Sequence, residues 1–229
     1  MKNISVALDG PAGAGKSTLA KKTAEHFGLI YVDTGALYRC VGLFAFRNNV
    51  PSKDKERVCV LLPNIVIEMK YDESGIQRMV MCGEDVTDAI RLPEISTYAS
   101  DVSSIPEVRE FLLATQRDMA VKYSVLMDGR DIGTVVLPNA DVKIFITAEV
   151  DTRAKRRYLE LINRGVSTTF EEVKADMVIR DRNDTEREIA PLKVADDAVI
   201  LDTTNLDFNE SFAALCKIIA DTTNISPVK

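Results

Sequence analysis

The sequence predicts an α/β fold, a parallel sheet with helices on both faces that carries a small β-containing insertion. Three observations lead there. Short apolar runs at 4–8, 29–32, 124–128, 142–146 and 198–202 alternate with longer stretches of helical spacing. A glycine-rich turn, Gly10-Pro11-Ala12-Gly13-Ala14-Gly15-Lys16-Ser17-Thr18, joins the first run to the first helix. Between residues 63 and 90 the pattern changes to that of a hairpin.

Taken in order, the run 4–8 reads as a buried strand and 18–27 as an amphipathic helix. A second strand, 29–32, leads into Asp33-Thr34-Gly35, where Thr34 is a natural N-cap for a helix over 36–47; Pro51 and Ser52 end that stretch. In the insertion, strands at 65–70 and 77–82 flank a turn, Asp72-Glu73-Ser74-Gly75, and Gly83-Glu84-Asp85-Val86-Thr87 closes it. Two helices follow, 93–101 and 106–122, each opened by proline. The strand 124–128 ends in a carboxylate, with 129–134 as its exit loop. After the strand 142–146 come a basic helix at 151–164, a charged helix at 170–184, the strand 198–202 and a helix at 206–221; the tail 222–229 reads as frayed.

At 229 residues the chain suits one large α/β domain with an insertion. A net charge of −6 argues against a general nucleic-acid surface. The four cysteines lie far apart, which implies neither a metal nor a disulfide framework but reduced, mostly buried thiols. The first strand starts without a leader and no apolar run reaches membrane-spanning length, so a cytoplasmic protein is expected. Nothing reads as an interface, so a monomer is expected. The single histidine, His26, falls among Lys and Glu and reads as a surface residue. Catalysis therefore falls to Lys, Arg, Asp and a metal.

Residues 10–18 fit G-x-x-x-x-G-K-[ST] in its required context, a strand leading in and a helix leading out. Glycines let the backbone approach phosphate oxygens closely, and the helix N-terminus faces an anion. Lys16 supplies a point charge for the outer phosphates, and the Ser17 hydroxyl reaches a bridging Mg²⁺. The turn therefore predicts binding of a nucleoside triphosphate and leaves the acceptor open. In α/β sheets ligands gather at the carboxyl ends of strands. The loops after the first, second, third and fourth strands are accordingly expected on one rim. Arg39 lies about one helical turn from Thr34, and Asp128-Gly129-Arg130-Asp131 packs three charges into four positions. Arg153, Arg156, Arg157, Arg164, Arg180, Arg182 and Arg187 follow. A solvated helix face is the ordinary explanation for such a run. Beside a triphosphate loop, the arginine fork also suits phosphate oxygens and a closing lid over 152–188.

The set 10–18, Asp33-Thr34-Gly35-x-x-Tyr38-Arg39, Gly83-Glu84-Asp85-Val86-Thr87, Val108-Arg109, Gln116-Arg117, Asp128-Gly129-Arg130-Asp131-Ile132-Gly133-Thr134-Val135-Val136, Arg180-Asp181-x-x-Asp184 with Arg187, and Ala190-Pro191-Leu192 resembles the bacterial cytidylate kinases over residues 3–205. That resemblance implies a P-loop sheet of strand order 2-3-1-4-5, a nucleoside-monophosphate insertion at about 63–90 and an arginine lid. It implies Mg²⁺-dependent transfer of the ATP γ-phosphoryl to CMP or dCMP. Position by position, Arg39, Arg130 and Arg187 would hold the acceptor's phosphate. Ser100, Arg109 and Asp131 would read cytosine, and Arg180 and Asp184 would hold the ribose with Thr34 nearby. Lys16 and lid arginines such as Arg157 or Arg182 would stabilise the moving group. Asp128 would hold Mg²⁺ through water or orient Arg130. Thr34 departs from the serine of many relatives but keeps the hydroxyl. Two alternatives stay open at this point. One is another small-molecule kinase of the same fold, for UMP, AMP or shikimate; the other is a P-loop NTPase switch.

Overall fold

A computed structural model of the chain describes residues 3–73 and 77–228. The order is β1 (Ser5–Asp9), α1 (Lys16–Phe27), β2 (Ile30–Asp33), α2 (Thr34–Arg47), α3 (Lys55–Leu61), β3 (Ile67–Tyr71), β4 (Gln77–Met81), β5 (Glu84–Asp85), α4 (Pro93–Val102), α5 (Pro106–Lys122), β6 (Val125–Asp128), β7 (Val142–Thr147), α6 (Val150–Asn163), α7 (Phe170–Glu186), β8 (Val199–Asp202) and α8 (Phe208–Thr223). The expected turn residues Ser74 and Gly75 lie outside the described residues. The chain divides into two compact units, Met1–Val32 with Met119–Lys229, and Asp33–Asp118.

The first unit is built on a five-stranded sheet of order β2-β6-β1-β7-β8. Counting only those strands along the chain, this is the expected 2-3-1-4-5. Its strands pair in parallel, with Leu8 opposite Asp128, Asp9 opposite Phe145 and Thr147 opposite Asp202. The exits of β1, β6, β7 and β8 therefore share one edge. Val6, Leu8, Leu126, Ile144 and Ile146 are buried with Leu19, Ala20 and Ala24 of α1 and Leu215 and Ile219 of α8. Burial on both faces explains why β1 and β6 read as unbroken apolar runs. Each large side chain there contributes about 1.5–3 kcal/mol. Residues 222–228, expected to be frayed, are held in place. Asn224 caps α8 in the left-handed region, Ile225 packs on this core and the Val228 N–H donates to the His26 carbonyl at 3.0 Å. His26 itself is half-buried rather than on the surface, with its ring edge-on to Phe27 and Phe212.

The second unit packs α2 on α4, and the small sheet β3-β4-β5 is antiparallel. The helices approach closely at Gly42, where a Cβ would stand 3.0 Å from both the Ala99 nitrogen and the Tyr98 Cβ. Asp33, not Thr34, caps α2: its Oδ1 accepts from the Ala36 N–H at 3.0 Å, and Thr34 is already the first helical residue. A carboxylate one position earlier satisfies the orphan amide, so the hydroxyl is not needed there. Helix α3, capped by Asp54, was absent from the expected elements.

The cysteines are all free, and they are unequal. Cys40 is buried, and burial pushes its thiol up to about 12, whereas Cys82 is exposed at a position with φ of 52°. Brief alkylation of the native protein is expected to label Cys82 and spare Cys40 until the chain is unfolded. Peptide mass spectrometry checks this, and native labelling of Cys40 would contradict the packing of α2.

Candidate active site

The glycine turn begins where β1 stops. Gly10 adopts φ of 145°, and a Cβ there would fall 1.9 Å from the Ile146 carbonyl oxygen at the end of β7. Only a residue without a side chain lets the loop cross that strand end. Gly10→Ala is expected to add roughly 1–3 kcal/mol of strain, lowering Tm by about 2–12 °C and weakening ATP binding. Thermal melts and ATP titration check both effects, and a wild-type profile would refute the crossing. Gly15 then caps α1 with φ of 83° and Lys16 opens the helix, leaving its first N–H groups for an anion.

Lys16 is 5% exposed and its Nζ donates to the Pro11 carbonyl at 2.7 Å. Burial, followed by the charge of Arg130, pushes its ammonium well below the usual lysine range, and Asp128, Asp9 and Asp184 oppose that push. The Ser17 Oγ donates to Asp128 Oδ2 at 2.6 Å, and the Tyr31 hydroxyl donates to Asp128 Oδ1 at 3.1 Å. Asp128 is therefore oriented by Ser17 and Tyr31. Among the described residues no group of three His, Cys, Asp or Glu forms a metal cage. A serine hydroxyl beside one carboxylate fits Mg²⁺, which keeps waters and substrate phosphates as its other ligands.

The exit of β6 meets the C-terminal half of α7 and the segment after it. Arg130 Nε donates to Asp184 Oδ2 at 2.7 Å, and Arg187 lies 3.5 Å from Asp131. Burial raises the Asp184 carboxyl, but Arg130, through its charge and hydrogen bond, outweighs it and holds the group below the usual carboxylate range. A depressed pKa contributes stability above the unfolded value, and that stability is lost only as pH falls through the still lower folded value. The pair therefore stays ionised at neutral pH. Arg180 adds a second positive charge near Asp184. Of the sequence-predicted residues, the first unit thus brings together Lys16, Ser17, Asp128, Arg130, Asp131, Arg180, Asp184 and Arg187.

The lid arginines are placed differently. Arg157, half-buried, pairs with Glu160 at 2.8 Å, and Arg182, well exposed, with Glu186 at 2.8 Å, each on its own helix. Arg153, which carried no assigned role, is 6% exposed and reaches the glycine turn. Its guanidinium donates to the Ala12 carbonyl at 2.9 Å and the Ala148 carbonyl at 2.8 Å, and pairs with Asp181 at 2.6 Å. It ties residue 12 of the loop to α6 and α7.

In the second unit Thr34 is buried and Arg39 lies 3.5 Å from Asp33. Arg109 is buried, donates to the Ser103 carbonyl at 3.2 Å and stands over the Tyr38 ring with 5.7 Å to its centroid. The Ser100 carbonyl accepts from the Ser103 hydroxyl at 2.8 Å. Two features of the first unit were not anticipated. Tyr31 sits inside a strand and gives no motif. Asp9 is a charge at a strand end, the same signal that singled out Asp128.

A phosphate loop at the first strand exit and arginines clustered at the third place the chain among P-loop kinases. A crystal structure of an uncharacterized protein from Eubacterium ventriosum shares the fold, with a TM-score of 0.53 and 14% identity over 95% of this chain and 98% of that one. The family follows from sequence. The chain belongs to the cytidylate kinase family, whose profile matches residues 6–221. It is 50% identical over 210 residues to the cytidylate kinase of Caldicellulosiruptor saccharolyticus, covering 92% of each chain. It is 48% identical over 216 residues to that of Lactobacillus johnsonii, covering 94% of each. No helix among the described residues is long and apolar enough to cross a membrane.

Proposed function

We propose that the chain transfers the γ-phosphoryl of ATP to CMP or dCMP, giving ADP and CDP or dCDP. The observation that supports it most is the cluster Arg130, Asp131, Asp184 and Arg187 beside the buried Lys16. A triphosphate loop thereby gains a neighbouring set of groups suited to a second phosphate and a base. The acceptor phosphate is already anionic, so its oxygen attacks the γ-phosphorus as the bond to the β-phosphate oxygen breaks, and no general base is required. Lys16 and Arg130 stabilise the charge on the transferring oxygens. Ser17 and Asp128 would hold Mg²⁺, which supplies charge neutralisation between the phosphates.

Arg39, Arg130 and Arg187 hold the acceptor phosphate, and Arg180 and Asp184 its ribose, with Thr34 nearby. Cytosine presents an amino donor beside two acceptors. Asp131 accepts from the amino group, and Arg109 and Ser100 donate to the ring nitrogen and carbonyl. Uracil would set an oxygen against the carboxylate. In this reading residues 152–188 are a lid, whose Arg157 and Arg182 approach the transferring group by leaving Glu160 and Glu186, and residues 63–90 are the acceptor-side insertion. The enzyme acts as a cytoplasmic monomer, for which sedimentation gives the direct check on assembly. A coupled assay of ADP release with CMP, dCMP, UMP, AMP and shikimate tests the reading. Highest activity is expected with CMP or dCMP. A best acceptor outside that pair, or ATP hydrolysis that CMP does not stimulate, would overturn it.

A further inference from the structure

Asp9 is the last residue of β1 and is 5% exposed. Both of its carboxylate oxygens face backbone donors 123 and 124 residues away. Oδ1 accepts from the Ile132 N–H at 2.8 Å and Oδ2 from the Gly133 N–H at 2.7 Å. These two peptides directly follow Arg130 and Asp131. They open a π-helical turn, Ile132–Val136, whose own cap residue, Asp131, makes no side-chain capping bond. The Asp131 backbone carbonyl instead accepts from the Val135 and Val136 N–H groups at 2.9 and 3.1 Å. A turn's first N–H groups normally take the side chain of the residue that precedes them. Here Asp9 does that work from another strand, and the Asp131 carboxylate lies toward Arg187 instead. Burial pushes the Asp9 carboxyl up to about 6, against the two amide bonds, and Asp131 adds to that rise while Lys16 opposes it.

We infer that Asp9 is a positioning residue for acceptor selection: by capping the turn at Ile132 and Gly133 it releases the Asp131 side chain from that task and fixes where it points. The inference rests on the reading that Asp131 faces the acceptor's base. Asp9 itself touches no substrate in this scheme. An asparagine at position 9 keeps the shape but offers one acceptor oxygen and one amino group, so one of the two N–H groups would face a donor. The turn must then shift or lose a bond.

The test is the ratio of kcat/KM for CMP to that for UMP in Asp9→Asn. Loss of charge beside Lys16 alters ATP use equally with either acceptor and cancels in that ratio. The ratio is expected to fall roughly tenfold, the order expected when the one hydrogen bond by which Asp131 tells the two bases apart is misplaced. A ratio within twofold of wild type overturns the inference, whatever happens to kcat. If Asp9→Asn does not fold, Asp9→Glu, which keeps the charge beside Lys16 but moves the carboxylate by one methylene, is held to the same tenfold and twofold limits. Hydrogen exchange on the unmodified protein adds a check free of substitution: the Ile132 and Gly133 amides are expected to be protected, and fast exchange overturns the clamp. Asp131→Asn is run alongside. If Asp131→Asn lowers the ratio and Asp9→Asn does not, the positioning role alone fails. If Asp131→Asn leaves the ratio unchanged, the reading of Asp131 fails and the inference with it.

Discussion

Lys16→Ala is expected to lower the rate of phosphoryl transfer by roughly 10²–10³-fold, the usual loss when one preorganised donor to a developing negative charge is removed. The size follows from where the ammonium is held. It is buried at the first position of α1, fixed by the Pro11 carbonyl, and surrounded by Asp9, Asp128 and Asp184. A group already desolvated and oriented acts on a triphosphate at full strength, because little water screens it and little reorganisation is needed. The fold should survive. Alanine is a good helix former, and Arg130 remains among the same carboxylates. Single-turnover transfer measured with saturating ATP and CMP reads the effect, with circular dichroism to verify the helix content. A rate within tenfold of wild type would remove Lys16 from the chemistry.

The second large effect is expected at the acceptor. Asp131→Ala should lower kcat/KM for CMP by about 30-fold or more, equivalent to roughly 2 kcal/mol or above for an unpaired buried hydrogen-bonding group. Affinity for ATP should change far less. The carboxylate is buried, so no water can replace it without cost, and Arg187 would lose its neighbour at 3.5 Å. Two consequences then combine. The acceptor's amino group finds no partner, and a buried guanidinium is left less well balanced. Discrimination between CMP and UMP should narrow toward unity, because the group that disfavours a carbonyl at that position is gone. Equal losses for CMP and ATP, with discrimination intact, would mark Asp131 as structural.

The centre of the sheet was legible because β1 and β6 are buried on both faces and so appear as uninterrupted apolar runs such as Val6-Ala7-Leu8. The glycine turn was legible for a different reason: the steric demand at Gly10 is written in the residue itself. What escaped depends on three-dimensional neighbours. Helix α3 is one short piece whose only strong signal is the Asp54 cap. The exit loop read at 129–134 contains the start of the turn Ile132–Val136, which was missed since a π-helical turn has no periodic signature over five positions. Arg153, Arg156 and Arg157 are equivalent in composition and nearly adjacent. Successive positions on a helix turn by about 100°, so one places its guanidinium on the Ala12 carbonyl, one on Thr203 and one on Glu160. Which of the three meets the loop is set by how α6 lies on the sheet, and spacing alone does not contain that. Asp9 was hidden by its position, because a carboxylate just before a glycine turn looks like part of the turn.

The arginine–carboxylate pairs of the first unit carry a consequence for how anions compete there. Arg130, Arg153, Arg157, Arg182 and Arg187 each have a carboxylate of the same chain within 3.5 Å. A phosphate arriving at one of them displaces a tethered internal counterion rather than a mobile one from the buffer. Bulk salt enters such an exchange on both sides and largely cancels. Binding should therefore weaken with ionic strength much less than the number of arginines suggests. The same tethering makes these arginines poor ligands for a polyanion that offers charge without the geometry to replace each carboxylate in turn.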